Sequence, residues 1–160
     1  MWRTRVWAVY DVENNKKKWT AFIWACCQGN YKIVKLLITK GAANSYIDVR
    51  PDNRYVALGS TKDMKPNPLH WACFKGHLDV FFVLVKTGLH WEDVDSCGNN
   101  SVMLSASGNS LMIFKAFLQL GVDLDCKNSR GHTVKDLTTS AEILELTAKY
   151  HHTKECAVSS

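Results

Sequence analysis

Apolar positions along this chain fall into paired clusters with helical spacing, each pair cut by glycine. In the first pair a short cluster containing Ala25 and Cys26 ends at Gly29, and Ile33, Val34, Leu36, Leu37 and Ile38 follow and end at Gly41. The spacing predicts one helix over 20–28 and a second over 31–39. Thr20 supplies a side-chain oxygen to the free amides of the first helix, and Gly41 suits the left-handed residue that closes the second. The first helix carries small residues and the second carries large aliphatics, so neighbouring pairs approach closely along the first. One such pair cannot bury its own apolar face, and stacking against further pairs is required.

The pattern repeats. Thr20-Ala21-Phe22-Ile23-Trp24-Ala25-Cys26 aligns with segments beginning at Asn67, Asn100 and Thr133; the last two intervals are 33 residues each, and the first is longer by 14. Gly41, Gly88 and Gly121 each lie 21 residues after their starts, which fixes the same register independently. Small residues recur in each first helix, as Ala25 and Cys26, Ala72 and Cys73, Ser105 and Ala106. In the last unit, Thr139 to Glu142 reads as a capping box ahead of Ile143, Leu144 and Leu146, with Glu145 and Lys149 at the favourable i, i+4 spacing. Residues 151–160 show no pattern and are expected to fray or to lie against the last helix.

These residues resemble the ankyrin repeat, whose 33-residue unit reads T-P-L-H-x-A-A, then G-H, then an apolar helix, then G-A-D. Pro68-Leu69-His70-Trp71-Ala72, Gly76-His77, Val80, Leu84 and Gly88 form the best copy. The third copy has Asn109-Ser110 where Gly-His is usual, and the fourth, opening at Gly131-His132-Thr133, is truncated. The resemblance implies an all-α solenoid of about four stacked helix-turn-helix repeats with hairpin-like loops, in one domain. Its expected divisions are an N-terminal cap or half repeat over 1–14, where Trp2, Val6, Trp7 and Val9 need cover, then repeats over 15–47, 62–94, 95–127 and 128–150, with a tail over 151–160. Residues 48–61 form an insertion where the family projects a hairpin. Its apolar Tyr55, Val56 and Leu58, with Arg50 and Arg54 beside them, suit a recognition finger, and the alternative is a satellite cluster folded onto the convex helices.

With 46% hydrophobic and 22% charged residues, the composition is that of an ordinary soluble domain. No apolar run approaches a membrane span, and Val6-Trp7-Ala8-Val9-Tyr10 is shorter than the core of a secretory signal, about 7–15 residues. A cytoplasmic or nuclear setting with reduced cysteines is therefore expected. The net charge of +5 comes from residues 1–50, which hold nine Lys or Arg against three acids. Lys16-Lys17-Lys18 permits an acidic partner there.

Catalytic signatures are missing: there is no glycine-rich phosphate loop, no nucleophile elbow and no His-Glu-x-x-His helix. His151, His152 and Cys156 form one cluster, with Cys126 upstream, where a structural zinc site needs four ligands in paired spacings. No cofactor and no metal are expected. In the family His70 organises its turn, so a structural role is assigned to it. Trp24, Trp71, Leu104 and Leu137 recur with the period and read as a stacked apolar ladder.

A binding surface remains. By the family's geometry, hairpin tips and the open side of the first helices line a concave face, and the candidate partner-binding residues are Lys16, Lys17, Trp19, Gln28, Arg54, Tyr55, Asp63, Met64, Phe74, Lys75, Asn99, Ser107, Arg130 and His132. The reading is a non-catalytic protein-binding module or scaffold, with membership of a larger assembly open. Two alternatives are nucleic-acid binding through the basic N-terminal third, where Trp19 can stack on a base, and a regulatory ankyrin segment of a larger catalytic protein. A near-neutral remainder weighs against nucleic acid.

Overall fold

Eight helices and no strand make up the regular structure of residues 21–43, 67–95 and 97–158, the part of the chain that the computed structural model describes. The expected cap over 1–14 and the insertion over 48–61 lie outside the described residues. In chain order the helices are α1 Ala21–Gln28, α2 Tyr31–Thr39, α3 Pro68–Lys75, α4 Leu78–Lys86, α5 Ser101–Ser107, α6 Leu111–Gln119, α7 Val134–Leu137 and α8 Ala141–Val158. Odd-numbered helices form an inner row and even-numbered ones an outer row, each packing on the next of its kind. This is the all-α solenoid of stacked helix pairs that the resemblance implies.

Local chemistry repeats with the fold. Helices α3, α5 and α7 are entered through a polar residue at the same place in the repeat: Asn67 Oδ1 accepts from Leu69 N–H at 2.8 Å and Asn100 Oδ1 from Met103 N–H at 2.9 Å. In the fourth copy the Asp136 carboxylate accepts from the Thr133 N–H at 2.8 Å and from its hydroxyl at 3.1 Å. Small buried residues Ala72, Cys73, Ser105 and Ala106 let α3 and α5 meet. Larger side chains fill the space between rows, where the Phe81 and Phe117 rings lie edge to face at 5.0 Å.

Helices α3 and α5 approach closely at their C-terminal ends. Gly108 lies against the Phe74 carbonyl, so a Cβ there would collide with backbone. A side chain of the later repeat also reaches back to the end of α1 and of α3: His77 Nε2 donates to the Cys27 carbonyl at 2.8 Å, and Ser110 Oγ donates to the Phe74 carbonyl at 3.3 Å. The third copy's departure from Gly-His is thereby explained. Asn109 takes the left-handed backbone (φ 53°) that Gly76 takes at φ 80°, a conformation asparagine tolerates better than most residues. Its side chain then accepts from the Thr138 hydroxyl at 3.0 Å and donates to that of Thr139 at 2.9 Å.

Three expectations change. The segment over 151–158 is helical, because α8 runs unbroken to Val158; nothing between Leu146 and Val158 is a glycine or proline, and Tyr150 anchors it by donating to the Val122 carbonyl at 2.9 Å. The capping box is not at Thr139. Helix α8 starts at Ala141, the Ile143 N–H reaches Ser140 Oγ at 3.5 Å, and Thr139 is engaged by Asn109 instead. The column of Trp24, Trp71, Leu104 and Leu137 is not a buried ladder either: Trp24 is exposed and the other three are half-buried. The buried side of α1 is taken by Phe22, Ile23, Ala25 and Cys26, which leaves Trp24 on the flank.

Gly108→Ala is expected to destabilise by about 1–3 kcal/mol, the usual cost of overpacking a tight contact. Gly88→Ala, at φ 95° but with open space around it, should cost only the left-handed strain of about 1–2 kcal/mol and leave α3–α5 packing intact. Urea unfolding of both variants checks this, with amide chemical shifts near Phe74 moving in the first only.

Candidate partner-binding face

Phe74 and Lys75 end α3, and both are exposed; Phe74 keeps 37% of its surface open to solvent. The Phe74 backbone is fixed from behind by Gly108 and by the Ser110 hydroxyl. Its ring meets Trp71 edge to face at 6.5 Å, and Lys75 Nζ stands 6.0 Å from the ring centroid. An aromatic ring with a lysine beside it, on a backbone that cannot shift, is a preformed contact point. Ser107 is exposed at the end of α5 next to it, and Gln28 is exposed at the end of α1 on the other side.

Arg130 and His132 occupy the opposite end of the inner row, in the finger that precedes α7. Both are exposed, and their backbone N–H groups donate to Asn128 Oδ1 at 2.9 Å each, which fixes the turn. Asn99 behaves differently from its neighbours. It is half-buried, its Oδ1 accepts from Asn128 Nδ2 at 2.9 Å, and its N–H donates to Asp95 Oδ1 at 2.9 Å. Together with the Ser129 N–H, which donates to the Cys97 carbonyl at 3.0 Å, it ties successive fingers to each other. Lys16, Lys17, Trp19, Arg54, Tyr55, Asp63 and Met64 lie outside the described residues.

Lys75, Arg130 and Lys135 are exposed and make no ion pair among the described residues, while the Asp136 carboxyl is held below its ordinary range, first by the Thr133 N–H and then by its hydroxyl. Between the fingers a cleft of about 420 Å³ is lined by Trp91, Met103, Asp123, Cys126 and Lys127 among others. Burial and then the Asp123 carboxylate push the Cys126 thiol up, so it stays protonated and a poor nucleophile. Cys26 and Cys73 are raised further by burial and serve as packing groups. His70 is buried and donates from Nε2 to the Asp93 carbonyl at 2.8 Å, the structural role assigned to it. Among the described residues no group of three or more His, Cys, Asp or Glu is placed to hold a metal ion. None of their helices is long and apolar enough to cross a membrane.

Sequence reasoning missed the residues that hold the face rather than form it. Gly108, Ser110 and Asn128 carry no partner-facing group. Asn109 had a signal: an asparagine stands at the place where two other copies have glycine.

A profile of the family described as ankyrin repeats (3 copies) matches residues 6–95. Among curated proteins, the chain is 30% identical over 127 residues to a putative palmitoyltransferase ZDHHC13 of Danio rerio, covering 79% of this chain and 18% of that protein. It is 32% identical over 113 residues to ankyrin repeat domain-containing protein 63 of Mus musculus, covering 68% and 25% respectively. With palmitoyltransferase ZDHHC17 of Danio rerio the identity is 34% over 101 residues, 62% of this chain and 14% of that protein. The chain thus spans a quarter or less of the length of these relatives.

Asp136→Ala is expected to lower the thermal midpoint at pH 7. A carboxyl whose pKa is lowered in the folded state stabilises that state above its ordinary pKa and loses the effect as pH falls toward the folded value. The gap between variant and parent should therefore shrink as pH falls through about 4. A gap independent of pH down to 2.5 would mean that the carboxylate is not what holds the turn.

Proposed function

The chain belongs to the ankyrin-repeat family, and from that premise we propose that it is a non-catalytic module that captures a protein partner on the face running from Phe74 and Lys75 to Arg130 and His132. The observation that carries this reading is Phe74. An exposed phenylalanine contributes little to a monomer's stability, yet here its backbone is held by two contacts from the next repeat. Such a ring loses little freedom when a partner covers it, so its burial goes into affinity rather than into ordering. Lys75 beside the ring favours a partner with a carboxylate at the rim, which speeds association and makes it salt-dependent. The insertion over 48–61 is assigned to the same task, as a finger whose apolar centre enters a groove of the partner while Arg50 and Arg54 meet acids.

A second reading has its own support. Several relatives are palmitoyltransferases of which this chain matches 14–18% of the length. As a regulatory or substrate-capturing segment attached to a catalytic domain, the same face would serve a reaction carried out elsewhere.

Replacing Phe74 by Ser and Lys75 by Glu together should reduce partner capture at least tenfold and leave the thermal midpoint within about 2 °C, because both side chains are exposed. Affinity purification with the parent chain and the double variant, compared by mass spectrometry, reads the first quantity, and calorimetry the second. A partner retained equally by both would place the binding surface elsewhere.

A further inference from the structure

The two ends of the stack are chemically unlike. At the C-terminal end α8 presents Glu142, Glu145 and Lys149 to solvent beside one open apolar side chain, Leu144, with Lys149 Nζ 2.7 Å from Glu145 Oε1. That is a mostly polar outer surface, as a terminal repeat needs. At the other end, α2 leaves Ile33 45% and Leu36 55% exposed. These are not ordinary surface positions. Ile33 is the third residue of its helix, and the third residues of α4 and α6, Val80 and Ile113, are fully buried between repeats. Leu36 is the sixth, matching half-buried Val83 and buried Ala116. The outer side of α2 thus has the composition of a repeat-stacking face.

We propose that residues 1–14 cover it, folding as a half repeat that seats Trp2, Val6, Trp7 and Val9 against Ile33 and Leu36. Three observations select this occupant. The family profile begins at residue 6, so the repeat pattern continues upstream of α1. Val9 stands 33 residues before Ala42, in the register of the buried column Ala42, Leu89 and Val122. Residues 1–14 carry two arginines and two acids and so bring no net charge to a helix bearing Lys32 and Lys35 and followed by Lys40. A second copy fits worse. Pairing α2 with itself would oppose lysines with no carboxylate anywhere in residues 21–43, and pairing it with α8 would set an apolar face on a charged one.

The test is a double-mutant cycle on the full chain, crossing Ile33→Asp with Trp2→Ala and Trp7→Ala combined. If the segment lies on α2, Ile33→Asp lowers the thermal midpoint of the parent by about 4 °C or more. The same substitution costs less than half as much once the two tryptophans are gone. Equal cost in both backgrounds, or no cost in the parent, overturns the proposal. A midpoint that rises with protein concentration, together with a dimer in sedimentation that Ile33→Asp dissolves, assigns the face to a second copy and overturns it too. Where a variant fails to fold, Ile33→Ser replaces Ile33→Asp in the same cycle.

Discussion

The distance between neighbouring inner helices governs this structure. Alanine, cysteine and serine at the buried positions of α1, α3 and α5 bring these helices together, and at Gly108 the approach is close enough that no side chain fits. That proximity places carbonyls at the helix ends within reach of the next repeat, where His77 and Ser110 take them up. A carbonyl left buried without a partner would cost about 1–3 kcal/mol, more than a typical satisfied bond returns. Packing and polar satisfaction therefore depend on the same small residues. The exposed face inherits its rigidity from them, since Phe74 lies over the tightest of these contacts.

Most of the architecture was legible because a solenoid writes its period into the sequence. The 33-residue spacing of Asn67, Asn100 and Thr133, and the glycines at 41, 88 and 121, locate helices and turns before any tertiary contact is known. What stayed hidden depends on which side of a helix faces the neighbour. Trp24 and Trp71 recur with the period, yet periodicity alone does not separate a buried column from a flanking one. Thr139 fits a capping box by spacing, but Asn109, thirty residues earlier in the chain, takes its hydroxyl. The helix past Tyr150 was missed because its residues, largely polar and all exposed beyond His151, show no apolar period, although none of them breaks a helix.

The candidate face was legible to a different degree at each residue. Phe74 and Lys75 follow from an aromatic and a cation at positions the repeat leaves open, and the structure places them together. Asn99 occupies a comparable position in its finger and is consumed by internal bonds to Asp95 and Asn128. A short polar side chain near a turn finds backbone and side-chain partners locally, whereas a large ring at a helix end does not. Exposure of the kind Phe74 shows is thus more informative than polarity when the surface of a repeat protein is read.

If close inner-helix contacts hold the stack, then α3 and α5 open only together. Native-state hydrogen exchange on the full chain measures this directly, by comparing the opening free energies of the amides in α3 and α5 with the free energy of global unfolding. The account predicts one shared value for both helices, equal to the global one. Amides of α5 that open at a free energy several kcal/mol below those of α3 would contradict it, because the contact between Gly108 and Phe74 could not then join the two repeats.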